Sequence, residues 1–277
     1  DYYSVSCEEA VSSQPVGVVI PKRGAVAQPP AVPDLGVFGR QVETLGYESV
    51  WTSEGWGSDS FVDLAAVARH TDDVRLGTAV VNVFTRTPAG LAMAAATLAR
   101  VSAGRAVLGL GAGHPGLVGG LHDLRFERPL RRMHETITLV RKLLGDATEV
   151  TYDGQLFNVA GFPGLDVEVP IYTGALGEQN RRVTGRLSDG WVPYHVPFSE
   201  LAEAYETVTD AAADSGRQPE HLVVNPFVPA AVSEDPDRAR AIIKENLAGY
   251  IGKFTAASYR NIVHETYPRE TDRISNR

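Results

Sequence analysis

The chain has 277 residues, 43% of them hydrophobic and 22% charged, with a net charge of -8. That length supports one large core, and α/β barrels of about 250 residues commonly form a single domain. The acidic balance excludes a groove that neutralises nucleic-acid phosphates, and a single cysteine, Cys7, excludes an internal disulfide or a cysteine-based metal site.

No run approaches the roughly 18 apolar residues of a membrane-spanning helix. Together with the lone cysteine, this predicts a soluble, cytoplasmic protein with no membrane partner. Residues 1–14 are polar, with Asp1, Glu8 and Glu9 and no apolar run. They read as an arm before the fold and not as a signal peptide. Residues 15–277 read as one barrel domain.

From residue 16 the pattern alternates. Residues 16–20 form a short apolar run closed by Pro21, which suits a buried parallel strand. Asp34 can cap a helix that Gly46 ends. Residues 49–52 form the second strand, and 61–69 have helical spacing. Residues 74–81 form the third strand. Pro88 then suits the first turn of an Ala-rich helix reaching Val101.

Residues 106–110 form the fourth strand, and 129–144 a long amphipathic helix. Residues 150–159, with Asp153-Gly154 near the middle, read as an inserted β-hairpin. The alternation then resumes. Strands fall at 169–173, 190–194 and 222–232, and helices at 178–187, 199–215 and from 236 to about 262. Repeated βα units predict a parallel sheet with helices outside. The expected fold is an α/β, TIM-type (β/α)8 barrel with an inserted hairpin. Seven strands are evident and no eighth, so the barrel reads as incomplete at its C-terminal end. An open doubly wound sheet is the structural rival.

In such a fold the chemistry sits where strands end. After the fourth strand comes Gly109-Leu110-Gly111-Ala112-Gly113-His114. Alternating glycines let a flat ring or a phosphate approach the backbone, or they make a flexible loop. The spacing is not that of a dinucleotide fingerprint. His114 suits proton exchange near neutral pH, or is an exposed loop histidine. After the second strand, Glu54 is an acid/base candidate or polar anchor, while Asp59 reads as a helix cap.

After the third strand, Asn82 could bond a ring edge or turn the chain. After the fifth, Gly174, Ala175, Leu176 and Gly177 lead into a helix N-terminus suited to a phosphate. After the sixth come Trp191, Tyr194 and His195, which could wall a pocket or fill the core. His122 and His134 lack carboxylates at ligand spacing, and no metal site is expected. No G-x-S-x-G elbow occurs.

The runs 45–51, 76–88, 102–113, 170–177 and 188–191 resemble, in combination and order, the luciferase-like monooxygenase superfamily. They are most similar to its coenzyme F420-dependent branch, which includes methylenetetrahydromethanopterin reductase. The resemblance implies a TIM-like barrel, usually a homodimer, with the cofactor at the C-terminal strand ends. It implies a non-prolyl cis bond at Ala79-Val80, whose bulge backs a deazaflavin ring against Gly111, Ala112 and Gly113. It implies a phosphate loop at 174–177. His114 stands where the family has an acidic proton donor, and Glu54-Gly55 where it has an Asp-His pair.

The expected function is therefore an F420-dependent oxidoreductase passing a hydride between the deazaflavin and a small organic substrate. His114 would exchange the proton, with Glu54 near the ring. An FMN-dependent monooxygenase of the same fold is the alternative, and a non-catalytic flavin-binding protein is the alternative of another class.

Overall fold

A computed structural model describes residues 15–21, 34–55 and 57–253 of the chain, and for 249–253 only the backbone. The N-terminal arm and the end of the last predicted helix lie outside the described residues. One parallel sheet runs in the order β1 (Gly17–Val19), β2 (Ser49–Thr52), β3 (Arg75–Thr78), β5 (Ala106–Gly111), β8 (Ile171–Thr173), β9 (Gly190–Trp191), β10 (Val223–Val224). β4 (Val81–Asn82) continues the line of β3 and also pairs with β5. The seven strand positions are those expected from the sequence. Among the described residues no strand joins β10 to β1, so the curled sheet has two edges.

The helices begin where their caps dictate. Asp34 accepts the Val37 N–H at 2.8 Å and opens α1 (Leu35–Thr44). Asp59 accepts from Phe61 and Val62 and opens α2 (Ser60–Ala68). Thr87 caps α3 (Pro88–Val101), with Pro88 in the first turn. A short helix absent from the predictions, α4 (Pro115–Val118), follows β5. α5 (Pro129–Leu144) precedes the antiparallel hairpin β6 (Val150–Asp153) and β7 (Asn158–Phe162). α6 (Glu178–Leu187), α7 (Phe198–Ala213) and α8 (Pro236–Lys253) complete the set.

Strand alternation divides the core into two layers. Val50, Leu76, Leu108 and Ile171 face outward and bury against Leu64, Leu91, Met133 and Ile137 of the helices. Each such side chain contributes roughly 1.5–3 kcal/mol. Trp51, Val107, Tyr172 and Val192 face the sheet's concave side. There Trp51 stacks on Tyr172 at 6.0 Å and meets Phe227 edge-on at 5.6 Å. Gly77 is glycine because a Cβ would collide with the Trp51 ring. This aromatic cluster forms the floor of the concavity, and the strand ends lie above it.

Candidate active site

The third strand is broken where the sequence reads as one strand. Gly77 pairs with Val107 and Val81 with Leu110, so Thr78, Ala79 and Val80 face only Leu108 and Gly109. One extra residue makes a bulge. The peptide between Ala79 and Val80 is cis, at the position the family resemblance implied. Thr78 repairs the ladder with its side chain. Its Oγ1 accepts the Gly109 N–H at 2.8 Å and donates to the Gly109 carbonyl at 2.9 Å.

This bulge changes the meaning of the glycine run. A Cβ on Gly109 would collide with the Thr78 carbonyl, and one on Gly111 with Val80 Cγ2. Those two glycines make room for the neighbouring strand, not directly for a ring or phosphate. Gly174 closes the same ring of contacts, since its Cβ would lie 3.1 Å from Val80 Cγ1. Gly113 has φ +66, and a Cβ there would meet the Asn82 amide. It therefore needs glycine for both conformation and space. Ala112 lies between Gly111 and Gly113, half-buried against the core.

Asn82 is buried at the end of β4. Its Oδ1 accepts the Phe84 N–H at 2.7 Å, which is the turn role read in the sequence. Its Nδ2 is buried with no acceptor among the described residues. A buried donor left unmade is costly, so an orphan at a strand end points to a missing acceptor.

Glu54 is engaged as an anchor. Arg86 donates Nε to Oε1 and Nη2 to Oε2, both at 3.0 Å, and the Ser60 N–H reaches Oε2 at 3.2 Å. Arg86 also pairs with Asp59 and lies over the Phe61 ring at 5.2 Å. Burial works to raise the Asp59 pKa, but Arg86 and the helix N–H groups outweigh it and hold the carboxyl low. The cluster ties the loop after β2 to the loop after β4. With both oxygens spent, Glu54 fits the polar-anchor reading better than the acid/base one.

His114 sits at the N-cap of α4. Its Nδ1 faces the Leu117 N–H at 3.3 Å. An accepting Nδ1 assigns the ring proton to Nε2. Burial pushes the imidazole below its usual value and favours the neutral ring. His195 follows β9 in a left-handed conformation, φ 57, packed on Tyr194 at 3.8 Å between ring centroids. Burial lowers its pKa to about 4.

The 174–177 loop divides by role. The Gly174 N–H bonds the Leu110 carbonyl at 2.9 Å, and the Ala175 carbonyl accepts Trp191 Nε1 at 2.7 Å. These two residues are spent on the scaffold. Leu176 is half-buried beyond them. Gly177 is the N-cap of α6 with no side-chain cap, and the space beside its Cα is open. Trp191 is core, packed under α7, and does not wall the concavity.

Sequence reasoning missed two features. Arg105 donates five hydrogen bonds, one to Ser102 at the end of α3 and four to Ala68, Thr71 and Val74, which bolt the start of β5 to α3 and to the connection between α2 and β3. Glu135 is 1% exposed on α5 and accepts the N–H groups of Gln155, Leu156 and Phe157 in the hairpin turn. Its placement among the apolar positions of α5 was the available signal.

A curled parallel sheet, ringed by helices, with a bulged strand and polar side chains at its C-terminal ends, defines a TIM-barrel-type α/β protein. The chain belongs to the luciferase-like monooxygenase family, whose model matches residues 15–276. A Mycobacterium tuberculosis protein provisionally named a coenzyme F420-dependent oxidoreductase is 34% identical over 229 residues, 76% of this chain and 65% of that one. The 5,10-methylenetetrahydromethanopterin reductase of Methanolobus tindarius is 29% identical over 235 residues, 83% of this chain and 69% of that protein. The chain thus spans about two thirds of the length of these relatives. The coenzyme F420-dependent tetrahydromethanopterin reductase from Methanopyrus kandleri shares the fold, with a TM-score of 0.78 at 19% identity. That match covers 93% of this chain and 76% of the other.

The residues present fit a flavin-like group. The orphaned Asn82 Nδ2 beside the bulge offers a donor for a heterocycle edge. The uncapped α6 N-terminus at Gly177 offers N–H groups for a phosphate.

Proposed function

We propose that the protein is a coenzyme F420-dependent oxidoreductase acting on a small organic substrate. The observation that carries this reading is the meeting, at one set of strand ends, of the Ala79–Val80 bulge, the Asn82 Nδ2 left without an acceptor and His114. The relatives' names supply the cofactor class. A bound deazaflavin supplies the hydride chemistry. The chain's own residues do the rest. Ala79, Val80 and Asn82 would hold the ring, and Leu176 and Gly177 its phosphate.

His114 has a narrower role than general proton exchange. With Nδ1 facing Leu117, the ring's other nitrogen is its donor, and burial keeps the ring neutral. It orients a substrate oxygen through Nε2, and proton transfer there requires the Leu117 contact to open. Glu54 acts through Arg86 as a positioning residue for the two loops that flank the ring.

The test is turnover of reduced F420 against a panel of small ketones and aldehydes, followed by the rise in fluorescence as the oxidised deazaflavin forms. His114→Ala should lower kcat while leaving F420 affinity intact. Unchanged turnover in that variant rules out the role given to His114. The family name also favours a second reading, an FMN-dependent monooxygenase, for which oxygen consumption with reduced FMN is the matching assay.

A further inference from the structure

Despite the chain's net charge of -8, four arginines crowd residues 125–132 against one glutamate, Glu127. Three have partners. Arg125 reaches Glu127 at 3.8 Å, Arg128 bonds Gln155, and Arg131 approaches Glu135 at 3.9 Å. Arg132 differs. Its guanidinium carbon lies 4.7 Å from the Phe84 ring centroid and 5.1 Å from that of Phe157. Phe84 in turn stacks on Phe126 at 5.0 Å. Among the described residues the Arg132 side chain has no hydrogen bond and no ion pair, and its Nε is buried without an acceptor.

The carboxylate whose charge acts on it, Glu135, does not bond it. Glu135 spends its oxygens on three N–H groups of the hairpin turn. Burial pushes Arg132 down from its ordinary pKa, with Glu135 opposing from a distance. Nor does α5 begin with an anion. It has no side-chain cap and no acidic residue in its first turn. Two rings against a guanidinium restrict its rotation and leave its N–H groups for an in-plane acceptor.

The location ties this group to the strand ends. Phe84 is held two residues beyond Asn82, by the Asn82 Oδ1 bond to its N–H. The first turn of α5 lies at the same end of the sheet, as helix N-termini do in βα units.

We propose that Arg132, clamped by Phe84 and Phe157, is a carboxylate-binding subsite at the rim of the candidate active site. The ligand is a flexible carboxylate, taken bidentately. Two sources share that chemistry: the glutamyl tail of F420 and an acidic group on the substrate. The first source rests on the cofactor reading above, and the second does not.

The test uses Arg132→Met, which keeps an unbranched chain between the rings. Fluorescence titrations compare F420 bearing its glutamyl tail with the riboside that lacks phosphate and tail. A parallel arm follows amide chemical shifts on titration with glutarate. A charge-assisted hydrogen bond of this kind corresponds to roughly tenfold to hundredfold in affinity.

If the tail is the ligand, Arg132→Met weakens F420 binding by that factor and leaves the riboside unchanged. If a substrate carboxylate is the ligand, F420 binding stays as it was, and wild-type shifts at 84, 132 and 157 on glutarate disappear in the variant. The proposal is overturned if Arg132→Met, folded as judged by its spectrum, alters neither. If wild type binds neither deazaflavin, the cofactor reading fails, and the glutarate arm alone decides the subsite.

Discussion

The most informative single change is Gly111→Ala. The added methyl falls within the envelope of Val80 Cγ2. The Val80 isopropyl group has no easy retreat, because it already packs over Gly109 and Gly174. Overpacking of this kind costs about 1–3 kcal/mol. For a chain of this size each kcal/mol lowers Tm by roughly 2–4 °C, so the expected fall is roughly 2–12 °C. Val80→Ala alone removes two methyls from a half-buried side chain and costs about 1 kcal/mol. In the double variant the new methyl occupies vacated space, so the two costs do not add, and the shortfall is about 1 kcal/mol or more. Gly109→Ala is the control. Its methyl meets the Thr78 carbonyl, which Val80→Ala does not move. Thermal and urea denaturation of the set gives both cycles. A neutral Gly111→Ala, strict additivity with Val80→Ala, or rescue of Gly109→Ala by Val80→Ala would refute the reasoning.

Three further changes probe the surroundings. Glu54→Gln breaks the bidentate pair with Arg86 and should cost about 1–3 kcal/mol in urea denaturation. It should leave the pH profile of turnover in place, and a displaced profile would return Glu54 to acid/base work. Glu135→Ala removes the acceptor for three turn N–H groups and should cost about 3 kcal/mol or more. Faster amide exchange confined to 155–157 is the local signature, and unchanged exchange there contradicts the clasp. His195 has a folded pKa of about 4 against 6.5 unfolded, so between those values the unfolded chain holds more protons. Its contribution is complete above pH 6.5 and is lost as pH falls towards 4, a difference of roughly 3 kcal/mol. His195→Gln should flatten that part of the stability curve, and an unaltered slope would show that another group titrates.

What could be read in the sequence follows the range of the interactions. Helix starts were legible because Asp34 and Asp59 cap, and Pro88 fixes a first turn, within three residues of themselves. The bulge was not legible from residues 74–81 alone, since Thr78-Ala79-Val80-Val81 has the composition of an unbroken strand. Only the family resemblance placed the cis bond. The glycines at 109 and 111 were noticed, but their reason lies across the sheet in Thr78 and Val80, about thirty residues earlier. Glu54 was noticed as an acid/base candidate or polar anchor, yet its partner Arg86 comes from a different loop. The clamp on Arg132 joins Phe84 and Phe157 from two further segments, and no local pattern could reveal it.

The central claim is that these strand ends bind a deazaflavin. Parallel fluorescence titrations of the intact protein with F420 and with FMN test it most directly. Saturable F420 binding is expected, weakened by roughly tenfold in Asn82→Ala through the loss of about one buried hydrogen bond, with FMN bound far more weakly. Tight FMN binding without F420 binding would contradict it.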